Sequence, residues 1–169
     1  MMYRLMAPMG LALALAACAG APPVPMTLLS LPSMSLNDVG VPKTTAPSTA
    51  TPVLSVRRVR IPEYLQANQV RYRDSDSTLA EWPQARWAER LEVGLTRHLL
   101  QRLQAQLGGT TVCEATCATG TEGHELSVDY LSLDYLRVTG QVQAQVSWRL
   151  TPQAAGKPVR SGQLLLSDK

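Results

Sequence analysis

The chain has 169 residues and a formal net charge of +3, with 17% charged residues scattered along it rather than clustered into a long run. There is no Lys-rich tract, Lys43, Lys157 and Lys169 being the only lysines, and no nucleic-acid reader motif, so nothing points to a nucleic-acid partner. The length is that of one domain once a leader is removed.

The leader comes first. Met1 to Arg4 is a short n-region with one positive charge, Leu5 to Ala14 is an uncharged apolar run, and Leu15-Ala16-Ala17-Cys18 closes it. Small residues before the cut and Cys just after it match a bacterial lipobox, in which the thiol is acylated and the Cys becomes the new N-terminus. The expectation is a signal peptide over residues 1–17 and lipidation at Cys18. The apolar run is too short to span a bilayer, which takes about 20 residues. Several acyl chains, at ~0.8 kcal/mol per buried methylene, hold such a protein to the membrane instead. Ala19 and not Asp follows, which by the bacterial lipoprotein sorting rule directs the anchor to the outer membrane, facing the periplasm.

Residues 18–25 then form the lipidated Cys and a small, Pro-containing spacer, and a single domain is expected over 26–169. Met26 to Pro32 has the character of a short strand. From about 33 to 52 the composition turns to Ser, Thr, Pro and Ala, which cannot bury enough surface to offset its ordering entropy, so a disordered loop is expected. Leu54 and Val56 share one parity and Val59 and Ile61 the other, which predicts a strand with a bulge near Arg57-Arg58. Pro62 ends it, Glu63 to Asn68 holds a turn or one helical turn, and Gln69 to Asp74 is a strand with Val70 and Tyr72 on one face and Arg71 and Arg73 on the other. After the turn at Asp74 to Ser77, Thr78 to Trp82 is expected to be a short strand stopped by Pro83.

The strongest helical pattern follows Pro83. Trp87, Leu91, Leu95, Leu99, Leu103 and Leu107 recur every fourth position, Arg and Glu hold the other side, and Gly108-Gly109 marks the end. Thr110 to Cys113 is a candidate strand. Leu126, Val128 and Tyr130 alternate, then the parity slips to Leu131, Leu133 and Tyr135, predicting one long strand with a bulge or break near Tyr130. Thr139-Gly140 turns the chain into the cleanest alternating strand, Val142 to Leu150, and Val159 to Ser167 returns as the last. The fold class expected is α/β of the α+β kind: a mixed, largely antiparallel sheet with one long amphipathic helix on a face.

Two cysteines remain beside Cys18. Cys113 and Cys117, in Cys-Glu-Ala-Thr-Cys, read first as a local disulfide in an oxidising envelope. A metal site with His124 is the sharper alternative, although the spacing is not that of a zinc knuckle. A thioredoxin-type pair would have two residues between the cysteines, not three.

No nucleophile elbow, P-loop, zincin or dinucleotide motif is present, so no catalytic residue, cofactor or metal ligand is assigned. His98 and His124 read as surface or packing residues. Asp129 and Asp134 fall on opposite strand faces unless a bulge intervenes. Arg57, Arg58, Arg60, Arg71 and Arg73 are the notable charge set. If their strands are neighbours they share a face that meets lipid phosphates or an acidic partner; a plain solvated strand face is the alternative. Tyr64 and Leu65, after Pro62, form either an exposed apolar knuckle for a partner or ordinary packing.

Ile61-Pro62-Glu63-Tyr64-Leu65, then Asn68-Gln69-Val70-Arg71-Tyr72-Arg73, then Arg86-Trp87-Ala88-Glu89-Arg90-Leu91 resemble the PqiC/YmbA type of ABC-transport auxiliary lipoprotein, over about residues 26 to the end. The resemblance implies a sheet-and-helix fold similar to anticodon-binding-like domains. It also implies a non-enzymatic, outer-membrane lipoprotein working with an MCE-domain protein and an inner-membrane permease and ATPase that move phospholipid-like molecules and support envelope integrity. Homo-oligomers are compatible with it. A pilotin-like assembly lipoprotein, or a periplasmic hydrolase, is the alternative. The family usually continues into a C-terminal helix that this sequence does not include; without it one sheet face would be bare, so either the chain is truncated or another surface covers that face.

Overall fold

In the computed structural model the described residues are 24–32, 52–117 and 123–168. The leader, Cys18 and nearly all of the Pro- and Thr-rich segment therefore lie outside them. The described elements are β1 (Thr27–Leu29), β2 (Val53–Val56), a 3-10 turn (Glu63–Leu65), β3 (Gln69–Ser75), β4 (Thr78–Trp87), α1 (Leu91–Gln106), β5 (Thr111–Glu114), β6 (Gly123–Leu136), β7 (Gln141–Pro152) and β8 (Arg160–Asp168). As expected from the sequence, this is a mixed α+β fold: a mostly antiparallel open sheet with a single 16-residue helix packed on it.

β6 is the spine. Along one edge it pairs antiparallel with β7, which pairs with β8, forming the anticipated meander. Its other edge is shared by two segments, both parallel to it. β2 takes the first part, Val53 opposite Gly123 through Val56 opposite Leu126, and β3 touches the far end, Arg73 opposite Leu136. Beyond β2 lies β5, and beyond β3 lie β4 and β1. β2 is buried at all four positions, as befits a parallel strand with neighbours on both sides.

Both predicted bulges are present. Val56 opposes Leu126 but Arg60 opposes Asp129, so the chain beside β6 carries one extra residue at Arg57 to Val59. On β6 the register against β7 shifts between Tyr130 and Ser132, leaving Leu131 as the inserted residue, 49% exposed. Gly140, at φ 66°, makes the turn into β7.

The onset of the helix differs from expectation. β4 does not stop at Pro83 but continues to Trp87, which pairs with Leu29 of β1, and α1 begins only at Leu91. Pro83 is tolerated because β4 bows out there: Arg71 opposes Glu81 and Gln69 opposes Arg86, so β4 uses more residues than β3 between the two pairs and the missing N–H interrupts no regular ladder.

α1 lies over β2, β6 and the bulged segment. One cluster gathers Val59, Ile61, Leu65 and Leu91 with Leu95, Leu99 and Tyr130 around them; another joins Leu54, Val56 and Val112 to Leu99, Leu103 and Leu126. The positions of α1 most shut off from water are Leu91, Gly94 and Thr96, while the later leucines of the stripe are only partly buried. Thr96, 1% exposed, accepts the Val59 N–H at Oγ1 (3.0 Å) and donates to the Glu92 carbonyl (2.6 Å). The bulge would otherwise leave Val59 with a buried orphan donor. Gly94 lets Leu31 approach: a Cβ there would lie 3.2 Å from Leu31 Cδ1.

Candidate functional site

Alternation along β6 sends Leu126, Val128, Tyr130 and Leu133 toward α1, and Glu125, Ser127, Asp129 and Asp134 to the opposite face. The bulge at Leu131 is what brings Asp129 and Asp134 onto one face, since without it their odd separation would split them. Each carboxylate along this face meets an arginine from the parallel segment beside it. Arg57 reaches Glu125 at 3.6 Å, Arg60 grips Asp129 through both Nε and Nη2 (2.8 Å from Nη2 to Oδ2), and Arg73 Nη2 donates to both oxygens of Asp134 at 3.1 and 3.2 Å. Arg58 pairs with Glu114 at 3.4 Å.

The paired geometry leaves its mark on ionisation. The bidentate hydrogen bond from Arg60 is the main reason the Asp129 carboxyl sits below its ordinary range, with Arg149 and Arg57 adding to the positive field. Arg57, Arg58, Arg60 and Arg149, with Ser127, Ser147 and Ser161, line an open polar trough of about 990 Å³ across β6, β7 and β8. Its arrangement suits a charged or polar partner surface. Its two carboxylates, Glu125 and Asp129, each face an arginine, Arg57 and Arg60.

Tyr64 fills the fork where β2 and β3 diverge from β6. Its hydroxyl donates to Asp134 Oδ1 (3.1 Å) and accepts the Leu133 N–H (3.4 Å), a donor with no strand opposite it. Burial raises the Tyr64 hydroxyl above its usual value. Arg71 donates to the Tyr64 carbonyl (2.6 Å) and to Glu81 (3.1 Å). The structure thus brings Tyr64, Arg71 and Arg73 together as one network around Asp134. Leu65 is not with them: it is 6% exposed and belongs to the core beneath α1, so of the two readings ordinary packing holds for Leu65, while Tyr64 is half-buried. The reason is the 3-10 turn, which points Leu65 inward under Leu91.

Cys113, at the end of β5, and Cys117 face each other with Cα atoms 5.6 Å apart, a separation that a disulfide spans. The intervening Ala115 has φ 63° and hydrogen-bonds through its N–H to the Val56 carbonyl, placing Ala115 and Thr116 on the rim of the trough. Among the described residues no group of three His, Cys, Asp or Glu side chains is arranged to hold a metal ion, and no helix is long and apolar enough to cross a membrane.

Three contributors were not singled out from sequence: Asp134 as the hub, Thr96 as the helix anchor, and the aromatic row Tyr72, Trp82 and Tyr135, with ring centroids 5.2 and 5.5 Å apart. Arg137 caps that row, donating to the Tyr72 hydroxyl at 2.7 Å. Only the odd spacing of Asp129 and Asp134 around a predicted bulge hinted at the first.

Comparison with known proteins agrees with this architecture. The crystal structure of an uncharacterized protein superposes with a TM-score of 0.66 at 24% identity, covering 86% of this chain and 81% of that one. Protein XCC0632 from Xanthomonas campestris, of the DUF330 family, superposes with a TM-score of 0.54 at 13% identity, covering 83% and 77%. No curated protein sequence matches. The family model for the ABC-type transport auxiliary lipoprotein component matches residues 35–166, nearly the whole of the domain, and the chain belongs to that family.

Proposed function

We propose that the protein is acylated at Cys18 and acts from the periplasmic face of the outer membrane as the accessory subunit of an MCE/ABC-type, Pqi-like phospholipid transport system that supports envelope integrity. The observation that carries this is the family match across residues 35–166, read together with the lipobox at Leu15 to Cys18. The family is one of transport auxiliary proteins rather than enzymes. In this reading the chain does no catalysis, holds no cofactor and draws on the ATPase of its partner.

We place the contact with the MCE-domain protein on the polar sheet face, with the Tyr64, Arg71 and Arg73 network at one end and the arginine-lined trough at the other. Paired, pre-positioned guanidiniums on a rigid sheet can exchange part of their hydrogen bonding to an acidic partner at little ordering cost. We also assign Cys113 and Cys117 as a disulfide that fixes the rim of that face. Leu65 supports the network from beneath.

Crosslinking in the intact envelope followed by identification of the captured proteins tests the proposal. An MCE-domain protein, lost when Arg71 and Arg73 are changed to Glu, is the expected result. Capture of a secretin instead would establish the pilotin-like alternative. A Cys18→Ser chain should leave the membrane fraction and lose the mass of the acyl chains; retention of both properties would overturn the anchor.

A further inference from the structure

Five residues separate Cys18 from Val24, where the described part of the fold begins. At no more than ~3.6 Å per residue, an acylated Cys18 keeps Val24 within about 22 Å of the lipid that holds it. β1 starts three residues later, at Thr27, and is the outermost strand at its end of the sheet, beside β4. The anchor therefore ties this edge directly to the bilayer.

Side chains along this edge divide by parity. Leu29 is half-buried, and Leu31 packs into the core beside Gly94 of α1. Val24, Met26 and Leu28 take the other parity and are 61, 52 and 65% exposed. Leu28 stands in register with Arg86 of β4. The Arg86 guanidinium donates to the Ala85 carbonyl at 2.9 Å and has no carboxylate partner among the described residues. Large apolar side chains beside an arginine without a counter-charge suit the interfacial zone of a bilayer, where an arginine stem lies along apolar surface and its head reaches phosphate.

We propose that Val24, Met26 and Leu28 rest in the interface of the bilayer that holds the anchor, with Arg86 at the lipid phosphates, so that the domain stands on its β1 edge. This rests on the acylation of Cys18 proposed above and adds an orientation to it. From β1 the sheet runs through β4, β3, β6 and β7 to β8. At ~4.8 Å per strand, β7 and β8 stand about 19 and 24 Å from β1. Arg149 on β7 and Ser161 on β8 line the far end of the polar trough. That end is held away from the anchoring bilayer and opens to the periplasm, so an acidic protein surface, rather than the headgroups around the anchor, is what it meets.

The test uses the full acylated chain, extracted from the bacterial envelope and reconstituted in vesicles of phosphatidylethanolamine and phosphatidylglycerol that carry a nitroxide-bearing phospholipid. A fluorophore is attached at Leu28→Cys or at Lys157→Cys, an exposed position in the loop between β7 and β8, without reductant so that Cys113 and Cys117 stay joined. The nitroxide should quench the label at position 28 several-fold more strongly than the label at 157. Val24→Asp with Met26→Asp, added to Leu28→Cys, should remove most of that difference while the chain still floats with the vesicles. Flotation and the mass of the acyl chains are read on the same samples. A vesicle-bound, acylated chain with equal quenching at the two positions overturns this inference alone, and is the result expected if another segment or a second copy covers β1. Quenching at 28 that the two aspartates leave unchanged also overturns it. A chain that carries no acyl group and does not float removes the anchor and this inference together.

Discussion

Replacing Thr96 with Val tests whether the bulge beside β6 depends on the helix for its last hydrogen bond. The substitution keeps the volume and the β-branch, so packing is preserved at a site only 1% exposed. A methyl in place of a buried hydroxyl should by itself be worth up to ~0.8 kcal/mol of added apolar burial. Against this stands the Val59 N–H, which Thr96 Oγ1 accepts at 3.0 Å and which the bulge turns away from any strand partner. Leaving a buried donor unsatisfied costs about 1–3 kcal/mol, so the net change should be a loss of about 1–2 kcal/mol. In urea unfolding, where m is about 1–3 kcal/mol/M for domains of this size, the midpoint should fall by roughly 0.5–1 M with m unchanged. Thr96→Ser keeps the hydroxyl and should lose only about 1 kcal/mol, from the missing methyl. A Thr96→Val protein as stable as the parent, or more so, would refute the reasoning.

Tyr64→Phe should cost about 1–2 kcal/mol, because the Leu133 N–H loses its acceptor and Asp134 a donor. A double-mutant cycle with Asp134→Asn should show the two changes to be less than additive, whereas independent losses would argue against a shared network. Acid should weaken the fold through Asp129. Its folded pKa is depressed, so its contribution is fully present above the unfolded carboxylate value near 4 and disappears as pH falls through the lower folded value. Asp129→Asn should therefore flatten the stability–pH curve below pH ~4, and an unchanged slope would discount the pair. Changing Cys113 and Cys117 to Ser should lower stability by up to about 2 kcal/mol on the loop-closure argument, with the parent falling to the same value under reductant.

Much of the architecture could be read from alternation. β7 followed because Val142 to Leu150 alternates without a break, and the two bulges followed because parity changes sign at Arg57-Arg58 and again after Tyr130. The helix was found by its leucines but misplaced at its start. A four-residue repeat advances about 40° around the helix at every step, so Trp87 to Leu107 cannot stay on one face. Trp87 is spent on the β1–β4 pairing instead, and Leu107 lies past the last turn. Pro83 misled because a proline ends a regular ladder but not a strand that bows away from its partner.

The site was less legible. Which arginine faces which carboxylate depends on β2 and β3 lying beside the same strand, a contact between segments 69 residues apart at Ser55 and His124 that no local pattern encodes. Thr96 gave no signal at all, because a single polar residue in a leucine-rich helix looks the same whether it meets water or an orphan amide. Leu65 was half read: its position after Pro62 marked a turn, and only the direction of that turn decided that it points inward.

The order in which strands lie along β6 has a consequence for how the molecule comes into being. β2 is flanked on both sides by strands made long after it, β5 and β6, and both pairings are parallel, so neither can form from a neighbouring hairpin. A chain emerging N-terminus first presents Val53 to Val56, an uninterrupted stretch destined for full burial, with nothing yet synthesised to receive it. The local β6–β7–β8 hairpins can zip up quickly, and β2 then has to find the finished edge, a late and slow closure of distant segments. The interval before that closure is when this four-residue strand is most open to capture by a chaperone or by another unfinished chain.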